Sequence, residues 1–192
     1  MTMTIQQNHH IASPNQRATA GQGLTQPSLA RWWRQVIFIP MLHGKWLTND
    51  IKAYLSKKVT EAEVGHRGEV FLIIENHLPV NMAYRSDCRE RAIGLFSEYR
   101  IWDTEENTGV LVYVNVCEHD LEIVADRGIN AHVGPTVWQA MCDKAIAGLA
   151  KGDVQNSLSE LLDEIGHLLR QHYHLEHDPQ GNELSDMVVH LR

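Results

Sequence analysis

The chain has 192 residues, 43% hydrophobic and 21% charged, which is room for one domain with a sizeable core and some tail. Its net charge of −7 argues against a nucleic-acid partner, which needs a basic face. Twelve histidines would remove much of that negative charge on mild acidification, since an unperturbed His titrates near ~6.5.

Residues 1–30 are rich in Gln, Asn, Thr, Ser and Gly, a composition that predicts a disordered tail. They hold no apolar stretch of the kind a secretory signal needs. Residues 31–47 form an apolar lead-in that begins "RWWRQVIFIPML". Its apolar run from Val36 to Leu42 is broken by Pro40 and falls short of the roughly 20 residues of a membrane span. Trp32 and Trp33, set between Arg31 and Arg34, suit peripheral contact with a lipid surface over residues 31–42, with the arginines drawn to anionic headgroups. The alternative is that the segment packs on the domain.

The domain proper is expected over residues 48–174. "TNDIKAYLSKKVTEAE" has helical spacing and a capping residue in Asn49 or Asp50, with Gly65 and Gly68 ending it. "EVFLIIE" (69–75) is short, continuous and β-branched, the pattern of a strand buried on both faces. Pro79 and Asn81 mark a loop. "SDCRERAIGLFSEYRIW" reads as a helix capped by Asp87 with Glu90 three positions on. "GVLVYVNVC" and "LEIVAD" are two strands separated only by Glu118, His119 and Asp120, so they should form a hairpin. "VGPTVWQAMCDKAIAGLAKG" predicts a helix with Pro135 in its first turn. Asp153 can cap a last helix, "VQNSLSELLDEIGHLLRQHYH". Residues 175–192 are expected as a tail that packs on or near the domain and ends in a strand, "MVVHL". The fold class is therefore α/β: a mixed sheet containing a β-hairpin, sandwiched between helices.

The segment "RAIGLFSEYRIWDTEENTGVLVYVNVCEHDLEIVADRGI" resembles the signature of the TPM-domain family, and the likeness extends over roughly residues 48–191, including "GEVFLIIE", Trp138 and "NELSDMVVHL". The resemblance is to small bacterial members without signal peptide or transmembrane helix. It implies a sheet between helices and an acidic cleft for a divalent cation, often calcium. It also implies either an accessory role at membranes or acid phosphatase activity on phosphomonoesters. Where many members carry "tGyGLE", this chain has "ADRGIN".

The candidate site follows from hairpin arithmetic. A turn at Glu118-His119 sets residues summing to 237 opposite each other, so Asp126 faces Leu111 and Gly128 faces Gly109. The loop "WDTEENTGV" enters at that same sheet end, bringing Asp103, Glu105 and Glu106 towards Asp126. Such carboxylates repel unless a cation or a basic residue such as Arg127 compensates them, and oxygen-only ligands suit Ca²⁺ or Mg²⁺. The other reading is a solvated acidic rim.

Other patterns carry less. "HLLRQHYHLEHD" contains His167, His172, His174, Glu176, His177 and Asp178, without the HExxH arrangement of a zinc protease. Arg85, Arg89 and Arg91 at a helix start would suit phosphate or, equally, ion pairs. Cys88, Cys117 and Cys142 form no CxxC pair and are expected as buried free thiols of a reducing compartment, the alternative being redox or metal roles. No covalent nucleophile motif or nucleotide fingerprint is present. The expectation is a cytoplasmic module, peripheral at the inner membrane if the lead-in meets lipid. It would bind a divalent cation and a protein partner, or alternatively hydrolyse a phosphate ester with metal assistance.

Overall fold

In a computed structural model, the structure describes residues 25–38, 47–174 and 188–191. Of the expected disordered tail over residues 1–30, residues 1–24 lie outside the described residues, as do 39–46 of the lead-in, 175–187 and 192, whereas 25–30 are described and their last two residues are helical. Chain order is α1 (Leu29–Ile37), α2 (Asn49–Glu63), β1 (Val70–Glu75), α3 (Val80–Ala83), α4 (Cys88–Glu98), β2 (Val110–Asn115), β3 (Asp120–Ala125), α5 (Arg127–His132), α6 (Pro135–Leu149), α7 (Val154–His172) and β4 (Val189–Leu191).

The strands form one mixed sheet ordered β3-β2-β1-β4. β1 runs parallel to both β2 and β4, while β2 and β3 are the antiparallel hairpin. Every residue of β1 and β2 is buried, as their unbroken apolar runs require. Alternation then divides the core. Val70, Leu72 and Ile74 join Val110, Val112 and Val114 beneath α2, α6 and α7. Phe71 and Ile73 join Leu111 and Tyr113 beneath α4. The sheet is thus sandwiched between helices, as the sequence predicts.

Several boundaries correct the sequence reading. Thr48, one residue earlier than expected, caps α2, its hydroxyl accepting from the Ile51 amide at 3.3 Å. Asp87 caps α4 as expected, accepting from Glu90 N at 2.9 Å. The hairpin register sums to 235 rather than 237, pairing Val110 with Ala125 and Asn115 with Asp120. The turn is held one residue earlier than assumed because Asn115 Oδ1 accepts from Glu118 N at 2.9 Å and His119 takes a left-handed φ of 52°. Residues 127–132 are a short helix, α5, where the segment read as the close of a strand. Part of the apolar lead-in is also helical, as α1.

Candidate functional site

The loop from Tyr99 to Gly109 is pinned from within. Thr108 is fully buried; its amide donates to Thr104 Oγ1 at 2.9 Å and its hydroxyl donates to the Arg67 carbonyl at 3.0 Å. Gly109 lies so close to the chain at Ile101 that a Cβ there would collide with the Ile101 carbonyl oxygen. Residues 126–129 close against this loop. Asp126 N donates to Gly109 O, and Gly128 N to Asn107 O, both at 2.9 Å. Arg127 Nε donates to Asn107 Oδ1 at 2.9 Å. A Cβ on Gly128 would collide with the Glu106 carbonyl. The two segments therefore meet at one sheet end, with Asp126 beside Gly109 rather than Leu111.

The four candidate carboxylates are not equivalent. Glu106 is ion-paired with Arg67, which arrives on the α2–β1 connection. Asp126 caps α5, with Oδ1 accepting from Arg127 N at 2.7 Å, while its Oδ2 is buried without a hydrogen-bond partner. Asp103 and Glu105 are exposed on the loop and make no ion pair among the described residues. Arg127 reaches Asn107 rather than a carboxylate. Among the described residues, no group of three or more His, Cys, Asp or Glu side chains is arranged to hold a metal ion. A cation here would therefore need the loop carbonyls and water beside Asp126.

The histidine-rich end of α7 lies near this loop. His172 stacks on His132 with ring centroids 5.0 Å apart, and His174 forms an isolated bridge with His66. Glu176, His177 and Asp178 lie outside the described residues. His66 is buried; its Nε2 sits 2.5 Å from the Ala62 carbonyl and its Nδ1 accepts from Gly68 N at 3.0 Å. Those partners select the neutral ring with the proton on Nε2. Burial pushes its pKa below the ordinary value.

Of the three arginines at the start of α4, Arg89 and Arg91 bond protein groups and Arg85 is exposed. Arg91 bonds Glu75 at 2.7 Å, and Arg89 bonds the Ile123 carbonyl at 2.6 Å. Asp87 occupies the helix N-terminus, where it also accepts from the Thr25 hydroxyl at 2.9 Å. That arrangement disfavours a phosphate at this spot. The cysteines are buried free thiols, as expected. Burial pushes Cys117 up to about 11 and Cys142 up to about 12, which keeps both protonated at neutral pH.

The opposite end of the sheet holds an assembly that sequence reasoning missed. Glu75 is 2% exposed and accepts from Arg91 and, at 2.6 Å, from the Tyr113 hydroxyl. Asn115 Nδ2 donates to Tyr113 Oη at 2.8 Å. Burial, with the Glu75 carboxylate beside it, drives the Tyr113 phenol far above its ordinary pKa. The one signal in the sequence was an acidic residue closing an otherwise apolar strand. From the hairpin turn, Glu118 then holds α1, pairing with Arg34 at 2.5 Å and accepting from the buried Gln35. Gln35 Oε1 accepts from Leu78 N at 2.8 Å, and Arg31 Nε donates to Ala83 O at 2.8 Å.

α1 thus turns polar side chains inward. Its apolar residues Leu29, Trp33, Val36 and Ile37 recur at helical spacing on the outer side, with Trp33 56% and Ile37 67% exposed. Arg31 and Arg34, the arginines expected to meet lipid, are hydrogen-bonded to the domain, with Arg34 still half exposed. No helix among the described residues is long and apolar enough to cross a membrane.

Comparison with known proteins agrees with this architecture. Residues 43–168 match the family model for the TPM domain, a model named TPM phosphatase. The solution structure of the BA42 protein from the psychrophilic bacterium Bizionia argentinensis superposes with a TM-score of 0.66 at 21% identity, covering 76% of this chain and 96% of that one. The N-terminal domain of a P. gingivalis protein superposes with a TM-score of 0.55 at 14% identity, covering 69% and 84% respectively. At such identities these two show a shared fold. No curated protein matches the sequence. The family model spans well over half of the chain, and the chain belongs to the TPM-domain family.

Proposed function

We propose that this chain is an accessory, partner-binding module that attaches to the inner face of a membrane through α1, and that its acid loop takes a Ca²⁺ or Mg²⁺ ion at the far end of the sheet. The observation that carries the reading is the inverted helix. A surface helix normally buries its apolar stripe and exposes charge. Here Arg31, Arg34 and Gln35 engage the domain while Leu29, Trp33, Val36 and Ile37 are displayed. Trp and branched aliphatic side chains on one helical face suit the boundary between headgroups and acyl chains.

The supporting argument for the cation is Asp126. A buried carboxylate oxygen without a donor costs free energy, and a hard cation completed by loop carbonyls and water would offset that cost. Asp103 and Glu105 would add charge at the rim, and Glu106 would have to exchange Arg67 for the ion.

Sedimentation of the full chain with phosphatidylglycerol-containing vesicles tests the attachment. The wild type should pellet, and Trp33→Ser with Ile37→Ser should stay in solution. Equal pelleting by both would sink the membrane reading. Calorimetric titration with CaCl₂ and MgCl₂ after chelation tests the ion, and heat that survives in Asp126→Asn would remove Asp126 from the site.

The second reading is a metal-assisted phosphatase, which the name of the matched family model and the unpaired Asp126 oxygen favour. It requires turnover of a generic phosphomonoester below pH ~6 that depends on Asp103 and Asp126. Full activity in Asp103→Asn and Asp126→Asn would rule this site out.

A further inference from the structure

Val80 and Tyr84, at the two ends of α3, are each 39% exposed, and α1 packs against this short helix. Ser28 N donates to the Tyr84 carbonyl at 2.9 Å, and Arg31 Nη2 donates to the same carbonyl at 3.2 Å. The first turn of α1, which carries the exposed Leu29, is thus tied to Tyr84. Its last turn carries Val36 and Ile37 and is tied through Gln35 to Leu78, two residues before Val80. α1 and α3 form one unit with apolar side chains exposed on both parts.

The sequence sets the charge of this unit. Residues 25–38 and 77–86 contain Arg31, Arg34 and Arg85 and no Asp or Glu, in a chain of net charge −7. The neighbouring carboxylates are engaged, Glu118 by Arg34 and Gln35, and Asp87 by Thr25 and the Glu90 amide. Arg85 is exposed. An apolar face bordered by positive charge complements anionic headgroups. A second copy of the chain would bring the same positive charge to the contact.

Position in the fold sets the orientation. Leu78 and Glu118, which hold α1, lie three residues beyond the ends of β1 and β2 respectively. The unit therefore sits at the carboxyl ends of these strands, and the acid loop sits at their amino ends. A six-residue strand separates the two by about 20 Å.

We propose that the lipid-facing surface is composite: α3 joins α1 through Val80, Tyr84 and Arg85, and the domain stays bound to α1 on the bilayer with the acid loop held away from it. This rests on the attachment proposed for α1 and adds a second contact element and a fixed orientation. The Tyr84 ring suits the headgroup level, where its body is apolar and its hydroxyl wet.

The test compares full-length variants on vesicles of phosphatidylcholine mixed with phosphatidylglycerol. Val80→Ser with Tyr84→Ser should weaken partitioning about tenfold. α1 holds Tyr84 by its carbonyl, so the tie survives these substitutions. Arg85→Glu should weaken binding about tenfold on the mixed vesicles and leave binding to phosphatidylcholine alone unchanged. The three native thiols are buried, so a bimane dye on Tyr84→Cys or on Glu105→Cys marks one place each. Lipid spin-labelled in its acyl chain should quench the dye at 84 and leave the dye at 105 bright. A wild type that stays in solution overturns the attachment and this inference with it. If the wild type pellets and the double serine variant pellets equally, or both dyes are quenched alike, α1 attachment stands and the composite surface is overturned. A lipid-free dimer that dissociates in the double serine variant would assign the surface to a second copy and overturn the lipid assignment.

Discussion

At the carboxyl ends of β1 and β2, polar side chains are hydrogen-bonded in series from Arg91 through Glu75 and Tyr113 to Asn115, which holds the Glu118 backbone amide, and the Glu118 carboxylate in turn pairs with α1. At the amino ends, the acid loop is held mainly by its own backbone and two threonines, and its carboxylates are in surplus. The first end is closed: its donors and acceptors are matched and largely buried. The second is open: Asp103 and Glu105 face solvent and Asp126 retains an unpaired oxygen. A matched network specifies structure, whereas an unmatched one has capacity for an added ion or partner.

Breaking the closed end should have the largest effect. Glu75→Leu strands Arg91 and the Tyr113 hydroxyl in the core, and urea unfolding should show a loss of about 3–5 kcal/mol. At the open end the sensitive element is backbone proximity rather than charge. Gly109→Ala forces the loop away from Ile101 and should cost about 1–3 kcal/mol, while Asp103→Asn and Glu105→Gln each leave stability within about 0.5 kcal/mol.

His66, beside the open end, links that region to pH. Its folded pKa lies below its unfolded value near ~6.5, so the unfolded chain binds the extra proton first. The stability tied to the neutral ring is fully present above the unfolded pKa and is lost as pH falls through the folded one. Urea midpoints measured down through that window should fall less steeply for His66→Gln than for the wild type. The effect of Glu118→Ala is expected to centre on α1. The Glu118 carboxylate is 12% exposed and also accepts from the buried Gln35, whose amide is left without that acceptor, so stability should fall by about 1–3 kcal/mol. Hydrogen exchange along α1 should accelerate, while exchange in the strands stays slow.

The closed end was also the harder one to read from sequence. Glu75, Tyr113 and Asn115 each pass for ordinary strand residues, and only the parallel pairing of β1 with β2 brings them together. The meeting of the acid loop with Asp126 was legible, because a short hairpin leaves few registers open. Even so, the turn geometry at His119 moved the pairing by two in the residue sum. Arg67 was not legible as the partner of Glu106, since it reaches the loop from a connection distant in sequence. The buried strands and the α4 cap follow from local pattern alone. α1 shows the limit of such pattern: its spacing reveals an apolar face, but only the contacts of Gln35 and Arg31 fix which way that face points.

β4 pairs with β1 through Ile73, Ile74 and Glu75, and Leu191 O accepts from Asn76 N at 3.0 Å. Its residues leave the ribosome only after β1 and all the described helices have done so. Until they do, β1 presents an unpaired edge rich in Phe, Leu and Ile, the kind of surface on which nascent chains join one another. Stalled translation short of Val189 should therefore yield a chain that holds most of its helices yet needs chaperone cover, a burden that falls on the cell during synthesis rather than on the finished fold.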